Sequence, residues 1–296
     1  MRNPLIISLC FCAAAAMPRL CQADNQVLES LLSQGVEIGP HDFVRLSPPT
    51  LADGLNAAQQ RRAIEAIPDG GHTWEELTRR SVVAPIILKM STDEHSQQRL
   101  CCRLDVGFVA YGTLAAVREL RCLQSQSKPS GTEVDTENGV TIKPLTSGDL
   151  LRRGLKPPEH EDEPHYFADE LRILGRVRIA MTTRSATSQT PDSILSASIL
   201  DTRFANDSQF PNCWRSVSRD ETGRRTLGSR QPYSGYGGYA KATRLMKPVG
   251  ATLIEYHLVF AEPEGWFGSS NSLRSKVPLV AQYLVRQLRQ ELEKSR

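Results

Sequence analysis

The sequence predicts an α+β protein in which a curved, largely antiparallel sheet packs against a long C-terminal helix, preceded by a helical lead-in. Three observations predict this class. Residues 251–261 alternate between two kinds of side chain, as a strand does. Residues 273–292 repeat their apolar side chains at three- and four-residue steps, as an amphipathic helix does. The predicted strands are grouped along the chain with a helix last, which favours an antiparallel sheet over alternating strand and helix units.

The last predicted strand has two different faces. Its aromatic face carries Ile254, Tyr256, Leu258 and Phe260. The opposite face carries Glu255 and His257 between apolar neighbours. Because the aromatic face is the better candidate for the core, we expect Glu255 and His257 to point to solvent. The strand ends at residues 262–265, where a proline lacks a ladder donor and a glycine permits a turn, and Trp266 follows directly.

The C-terminal helix is predicted to carry a single apolar stripe. The stripe consists of Leu273, Val277, Val280, Ala281, Leu284, Leu288 and Leu292. Such a stripe has to be buried against another layer, so we expect the helix to lie across the sheet. Ser270 or Ser272 can cap its start. Pro278 either lies in the first turn of the main helix or kinks a longer one.

The N-terminus has the layout of a secretory signal. An early arginine precedes an alanine-rich apolar run at residues 5–16, and small residues follow near Ala23. We expect cleavage after Ala23, with residues 14–16 as the alternative, and a periplasmic or secreted protein. Lipid anchoring at Cys21 is disfavoured because residues 18–20 lack the small side chains that precede such a site. The run is too short to span a bilayer, and no transmembrane helix is predicted elsewhere.

The rest of the chain is predicted to divide in two. Residues 24–80 form a helical lead-in, in which Thr73-Trp74-Glu75-Glu76 has the spacing of a capping box. Residues 81–296 form the α+β domain. A polar stretch at about residues 124–165, rich in proline at its end, is expected to be an insertion or a long loop.

The charge balance argues against an electrostatic partner. The chain has a formal net charge of +3, and removal of the signal takes away Arg2 and Arg19 and no acid, which leaves about +1. The arginine pairs are scattered and lack interleaved aromatic residues, so solvated faces explain them better than a nucleic-acid track. We therefore predict no nucleic-acid partner.

Four cysteines remain after the predicted signal: Cys101, Cys102, Cys122 and Cys213. They allow three pairings, and one disulfide and buried thiols are both open alternatives. Since Cys101 and Cys102 are adjacent on a predicted strand, we expect their side chains to point to opposite faces.

No catalytic motif is recognisable, so no catalytic residue, metal ligand or cofactor is predicted, and an enzyme is the least favoured class. His160, Glu161, Asp162, Glu163 and His165 are metal-ligand types, but nearby prolines and the density of charge favour an exposed loop. The tryptophans are assigned to packing.

Residues 239–296 resemble the START-type, or helix-grip (SRPBCC-like), superfamily of lipid and apolar-ligand binders. The likeness is carried by the strand at 239–246, the turn at 248–250, the strand through Tyr256, the corner Glu264-Gly265-Trp266-Phe267 and the final helix. START-type sequences often place a proline after the Gly-Trp corner, whereas this chain has Gly268 after Phe267. The resemblance implies a cavity between sheet and helix that takes an apolar molecule.

This resemblance implies a set of candidate ligand-binding residues. They are Tyr256, Leu258, Phe260, Trp266, Leu284 and Leu288. The expected function is an exported protein that binds a lipid or another apolar small molecule. The alternative is a non-catalytic, extracytoplasmic protein-interaction or structural module with a filled core, whose protein partner the sequence does not indicate.

Overall fold

The computed structural model describes residues 25–67, 71–95, 99–119, 140–160, 163–173, 175–263, 266 and 272–294. Its helices are α1 (Gln26–Ser33), α2 (Ala57–Glu65), α3 (Trp74–Leu77), α4 (Leu114–Glu119), α5 (Ser147–Leu151) and α6 (Ser272–Lys294). Its strands are β1 (Val36–Gly39), β2 (Asp42–Val44), β3 (Ile87–His95), β4 (Arg99–Tyr111), β5 (Val140–Pro144), β6 (His165–Ile173), β7 (Val177–Gln189), β8 (Ser193–Leu200), β9 (Cys213–Arg219), β10 (Arg225–Leu227), β11 (Gln231–Pro232), β12 (Tyr236–Arg244) and β13 (Ala251–Glu262). The predicted signal residues 1–23 lie outside the described residues.

One large antiparallel sheet contains eleven of these strands. Its main path runs β3-β4-β13-β12-β8-β7, and β6 and β5 continue from β7. β8 pairs with residues 183–189 of β7, and β9 pairs with the preceding residues 177–180. β9 also pairs with β10 and β11. The last strand, β13, lies between β4 and β12. This large antiparallel sheet with a C-terminal helix confirms the α+β class.

One face of the sheet packs against α6 and is called here the α6 face. Residues directly opposite in an antiparallel pair share a face, so Phe108 of β4 and Ile254 of β13 both belong to it. They form a buried cluster with Val285, Leu288 and Leu292 of α6. The predicted contact between the final helix and the sheet is therefore present.

The opposite face, called the lead-in face, is covered by the N-terminal segment. Val27 and Leu31 of α1 pack with Tyr239 and Val259. A Cβ added to Gly237 would lie 2.6 Å from Val36 Cγ2, so only a glycine permits this close approach of the lead-in to β12.

The lead-in is only partly helical. Besides α1, α2 and α3 it contains the β1–β2 hairpin, which the sequence pattern did not indicate. The capping box at Thr73 is confirmed, since Glu76 N donates to Thr73 Oγ1 at 3.2 Å and Thr73 N donates to Glu76 Oε2 at 2.8 Å. These two hydrogen bonds satisfy backbone donors that the helix itself leaves open.

The apolar stripe of α6 differs from the predicted one. Leu284 is 56% exposed, whereas Val285 is 5% exposed, so the prediction that Leu284 lies on the packing stripe is wrong. The buried positions Val285, Leu288 and Leu292 follow each other at steps of three and four, and Leu284 lies at the margin of this stripe, about 100° from Val285 around the helix. Pro278 lies inside the helix rather than in its first turn.

Two further segments are more regular than predicted. Within the expected polar insertion, β5 pairs with β6, and Leu150 of α5 packs with Phe204 and Phe210. The apolar side chains of residues 171–181 recur in period two, a pattern that predicts one strand, but these residues are the two sides of a hairpin in which Leu171 is opposite Ile179. Gly175 has a φ of 65°, the left-handed conformation that favours glycine at such a turn.

Cys101 and Cys102 point to opposite faces, as predicted, since Cys101 belongs to the lead-in cluster and Cys102 to a cluster on the α6 face. Cys122 lies outside the described residues, so the pairing stays a prediction. In the part of the chain that the structure describes, no helix combines the length and the apolar character needed to cross a bilayer.

Candidate functional site

An apolar cluster with several aromatic rings occupies the α6 face next to the N-terminal half of α6. We call it the aromatic cluster; its buried members are Cys102, Val177, Ile179, Met181, Leu200, Tyr233, Phe260 and Trp266. The rings of Tyr233 and Trp266 are stacked with centroids 5.6 Å apart, and Trp214 meets Trp266 edge-on at 6.1 Å. Such ring pairs add to the stability gained from burial.

The edge of the aromatic cluster remains partly accessible. Half-buried apolar side chains packed against it are Met90, Leu171, Ile173, Trp214, Tyr236, Leu258 and Val277. They come from strands on both sides of β13 and from α6. Large apolar side chains that pack on a core yet keep accessible surface provide a surface on which an apolar molecule gains by burial.

The carboxyl group of Asp169 lies among these apolar side chains. Asp169 is opposite Met181 in the β6–β7 pair and lies between the in-phase positions Phe167 and Leu171. Its Oδ2 accepts a 2.6 Å hydrogen bond from Thr183 Oγ1. The residue as a whole is half-buried, but its Oδ1 atom is inaccessible and has no hydrogen-bond partner within the described residues.

Burial determines the protonation of this carboxyl group. It raises the pKa of Asp169 to about 7, against the opposing effect of the Thr183 hydrogen bond. Burial also raises the pKa of Tyr236 well above its ordinary value, and the charge of Asp169 adds to that shift. Near neutral pH, Asp169 can therefore either donate a proton in a hydrogen bond or accept one.

The structure brings together some of the residues that the sequence proposed. Phe260 and Trp266 are members of the aromatic cluster, and Leu258 lies at its edge. Tyr256 and Leu288 belong to the neighbouring buried cluster, where the Tyr256 ring stacks on Phe108 at 6.3 Å. Leu284 is separated from all of them on the exposed side of α6.

Sequence reasoning missed Asp169, although a signal was present. In residues 167–173 the positions Phe167, Leu171 and Ile173 are apolar in period two, and Asp169 is the one acid in that phase. The predicted strand began only at Leu171, so this position was never compared with its neighbours.

A second polar site lies on the lead-in face and corrects the interpretation of Glu255 and His257. Both are buried, at 3% and 9% exposure, so the expectation of a solvated face is wrong. His257 Nδ1 lies 2.6 Å from Asp105 Oδ1, and His257 Nε2 lies 3.7 Å from Glu255 Oε1. The His257 ring also stacks on Tyr239, with centroids 4.7 Å apart.

The charge of His257 follows from these neighbours. Burial acts to lower the pKa of His257, but the hydrogen bond with Asp105 and the charges of Asp105 and Glu255 outweigh it and raise the pKa to about 9. His257 is therefore an imidazolium at neutral pH, between two carboxyl groups.

The same polar groups hold a segment of the lead-in, residues 46–56, which we call the strap. Lys241, 2% exposed, donates from Nζ to Leu51 O at 2.8 Å and lies 2.9 Å from Asp53 Oδ1. Thr50 N donates to Glu255 Oε1 at 3.0 Å, and Tyr239 donates to the Ser47 carbonyl at 2.6 Å. These contacts fasten the strap to the sheet.

The loop that carries the predicted metal-ligand types is exposed as expected at Glu159 and His160. Ligand atoms of Glu159, His160 and Glu163 lie within 4.8 Å of one another. Glu159 already pairs with Lys156 at 3.1 Å. Exposed acidic groups of this kind are common on protein surfaces, so the loop is a weak candidate site.

Neither models of known protein families nor curated protein sequences give a match to this chain. The two polar sites can still be ranked by their chemistry. Glu255 Oε2 and His257 Nε2 also lack hydrogen bonds, but they belong to an ion-paired group that the strap covers. Asp169 lies among apolar side chains with accessible surface, without a cation beside it. The α6 face is therefore the better candidate for binding a small molecule.

Proposed function

We propose that this chain is an exported protein that binds a mostly apolar small molecule between its sheet and the N-terminal half of α6. The ligand packs against the aromatic cluster and makes one hydrogen bond to Asp169. Tyr256, Leu258, Phe260, Trp266 and Leu288 contribute the apolar surface around it. Leu284, which faces solvent, has no part in this proposal.

The observation that supports the proposal most strongly is the unpartnered Oδ1 of Asp169. Nearly all buried polar atoms in folded proteins have a hydrogen-bond partner, and leaving one unsatisfied costs about 1–3 kcal/mol. Thr183 donates to the other oxygen, Oδ2, and no described side chain makes a hydrogen bond to Oδ1. A ligand that supplies the missing hydrogen bond recovers that cost on binding.

The surroundings of Asp169 limit the chemistry of the ligand. Since the pKa of Asp169 is about 7, a ligand hydroxyl group suits both of its protonation states, whereas a carbonyl or ester oxygen suits only the protonated one. A ligand anion would be repelled by the ionised form. The half-buried rings of Trp214 and Tyr236 at the edge of the cluster favour a flat or ring-containing body over a thin chain.

The likeness to the helix-grip superfamily is consistent with this proposal. In that arrangement the sheet curves around the final helix and encloses the ligand. We extend the proposal to such a curvature here, with α6 lying across the opening. The predicted signal supports an extracytoplasmic place of action, in the periplasm or outside the cell.

Extraction of the purified protein tests the proposal directly. The chain is expressed with its own N-terminus, purified from the exported fraction and extracted with organic solvent, and the extract is analysed by mass spectrometry. We expect one apolar molecule with an oxygen-containing group in near-stoichiometric amount. Asp169→Leu should retain about tenfold less of it, since 1.4 kcal/mol is a factor of ten in affinity.

Two matched variants accompany this test. Asp169→Asn keeps a hydrogen-bonding side chain of the same shape and should retain the ligand. Glu170→Gln removes the adjacent carboxyl group, which points to the other side of β6, and should behave as the unmodified protein. A clean extract, together with no thermal shift from a panel of lipids and ring-containing apolar compounds, would contradict the proposal.

A protein-interaction module is the second candidate, and the exposed face of α6 favours it. Leu279, Tyr283 and Leu284 are 65%, 59% and 56% exposed. Leu279 and Tyr283 are one helical turn apart, and exposed apolar side chains of this kind are typical of surfaces that bind another protein. Under this alternative, Leu279→Ser with Leu284→Ser abolishes capture of a partner, while the extract of the purified protein is empty.

A further inference from the structure

A groove lies between α6 and the chain segment that leads into β3, with a volume of about 280 Å³. Ala84, Pro85, Ile86 and Val285 give it an apolar lining. It shares no described lining residue with the aromatic cluster. We call it the basic groove, because its ionisable lining residues among those the structure describes are His72, Arg286 and Arg289, and none is acidic.

Arg289 is the most unusual of these residues because it is 4% exposed and has no carboxylate partner among the residues that the structure describes. Its Nε donates to Val109 O at 3.0 Å, its Nη1 to Ala84 O at 2.5 Å, and its Nη2 to Pro85 O at 3.1 Å. Its guanidinium also lies over the Phe108 ring, 5.4 Å from the centroid. Burial lowers the pKa of Arg289 to about 10, so the group is still a cation at neutral pH.

One N–H group of the guanidinium has no acceptor among the described residues. Arginine carries five N–H groups, and Arg289 uses four when the longer contact from Nη1 to Val82 O at 3.4 Å is included. The remaining N–H is on Nη2, and no acceptor for it is present among the described residues. A buried cation that is surrounded by carbonyl dipoles alone lacks the counter-charge that usually accompanies it.

Arg286 adds a second positive charge to the same groove. It is exposed and lies three residues before Arg289, one helical turn away. Like charges at this spacing destabilise a helix. An anion in the groove removes this repulsion and supplies the acceptor for Nη2.

We propose that the basic groove is a binding site for a small monocarboxylate with a short apolar tail. Carboxylates match the planar donor fork of arginine, and the tail is accommodated by the apolar lining. At roughly 30 Å³ for each water-sized unit, the volume corresponds to about nine such units, which suits a ligand of the size of octanoate. A membrane surface is a poorer occupant, since anionic lipids are recognised by clusters of about 4–8 basic residues.

This site is independent of the proposed function, and titration calorimetry with octanoate tests it. We expect saturable binding of one octanoate to each chain, and at least tenfold weaker binding of uncharged 1-octanol. Arg286→Gln should weaken octanoate about threefold, and Arg289→Gln about tenfold or more, because the second group is desolvated. Lys276→Gln, an exposed cation on α6 outside the groove, should leave the affinity unchanged.

Val83→Glu keeps the test decisive where Arg289→Gln fails to fold. Val83 lines the groove and is 57% exposed, so a carboxylate at this position repels the ligand without disturbing the core. The proposal is overturned if octanoate does not bind at millimolar concentration, if 1-octanol binds equally well, or if Arg286→Gln and Val83→Glu change nothing. Sedimentation with phosphatidylglycerol vesicles that is lost in Arg286→Gln, without octanoate binding, would assign the groove to membranes instead.

Discussion

Asp169 and His257 are both buried ionisable side chains with a raised pKa, yet the two shifts have opposite meanings. Asp169 has a pKa of about 7 because burial disfavours its charged form. His257 has a pKa of about 9 because two carboxyl groups favour its charged form more strongly than burial disfavours it. One environment removes a charge near neutral pH, and the other retains one. The first suits the binding of neutral molecules, and the second suits the fastening of a chain segment.

Asp169 should make the ligand-free protein lose stability as the pH rises. Its pKa in the folded state lies above the ordinary value of 3.8, so its stabilising contribution is complete below about pH 4 and declines up to about pH 7. Asp169→Asn, which cannot ionise, should therefore be more stable than the unmodified protein at pH 8, by about 4 kcal/mol at most. Urea unfolding at pH 4.5 and pH 8 measures this difference. If the two proteins differed in unfolding free energy by the same amount at both pH values, the raised pKa of Asp169 would be contradicted.

His257 should produce a second loss of stability at higher pH. Its folded-state pKa also exceeds its ordinary value, so its contribution is complete below about pH 6.5 and disappears as the pH rises through about 9. The loss is about 3 kcal/mol at most. His257→Gln should show a flatter pH profile over this window in the same unfolding assay. An NMR titration of the imidazole with a midpoint near 6.5 would rule this prediction out.

Among the elements, the strap is held by polar contacts rather than by apolar packing alone. Asp53 illustrates this. Burial acts to raise its pKa, but hydrogen bonds from Lys241, Ser193 and Thr190 outweigh that effect and lower it. Leu51, which is fully buried, is the apolar residue that accompanies these contacts. Order in the strap is therefore linked to the charge state of the groups below it.

Removal of one partner of the Lys241–Asp53 pair should loosen the strap. Asp53→Asn leaves Lys241 charged and buried without its carboxylate, which typically costs 3–5 kcal/mol. Asp53→Leu combined with Lys241→Met should recover most of this cost, because a buried ion pair is often replaceable by apolar side chains. Hydrogen exchange of residues 46–56 reports the local effect. If the amides of residues 46–56 exchanged as slowly in Asp53→Asn as in the unmodified protein, the pair would not be what holds the strap.

The corrected phase of α6 can be tested with two leucines of the same helix. Leu288→Ala removes a buried side chain and should destabilise the protein by about 2–5 kcal/mol. Leu284→Ala changes an exposed position and should stay within about 0.5 kcal/mol. Thermal unfolding of the two variants distinguishes them. The reverse order would restore the stripe expected from the sequence.

At the scale of the whole molecule, local sequence patterns predicted the strands and helices well. They predicted less well which side chains are buried in the folded protein. The strand at 251–261 and the final helix were found from their periodicities alone, since these depend on neighbouring residues. The phase of the helix was missed because Leu284 lies four residues after Val280 and four before Leu288, so it fits the apolar spacing as well as Val285 does. What decides it is Arg289, whose carbonyl partners lie about 180–207 residues away in the sequence.

The same distinction applies to the candidate sites. The period-two pattern placed Glu255 and His257 correctly on one face of the strand. It did not indicate whether that face is covered by another part of the chain. Their burial depends on Thr50 and Asp105, more than 150 residues away. The role of Asp169 depends likewise on the pairing of β6 with β7, which required the turn at Gly175 to be recognised. Contacts between distant segments are the part that a single sequence does not show.

The two layers that cover the sheet should unfold together with it. Val27, Leu28 and Leu31 of α1 are at most 2% exposed and share a cluster with Val259 of β13. We therefore expect α1 and β13 to show the same free energy of opening in native-state hydrogen exchange. Exchange of α1 several kcal/mol below that of β13 would show that the lead-in opens by itself.

The position of β13 governs when the chain can fold. β13 joins β4 to β12, and its pairing partner in β4, such as Val106 opposite Tyr256, precedes it by 150 residues. A chain that emerges from its N-terminus therefore contains β3, β4 and the lead-in for a long time before their central neighbour exists. Loop closure over such distances is slow. The sheet can therefore be completed only after nearly all of the chain has been made.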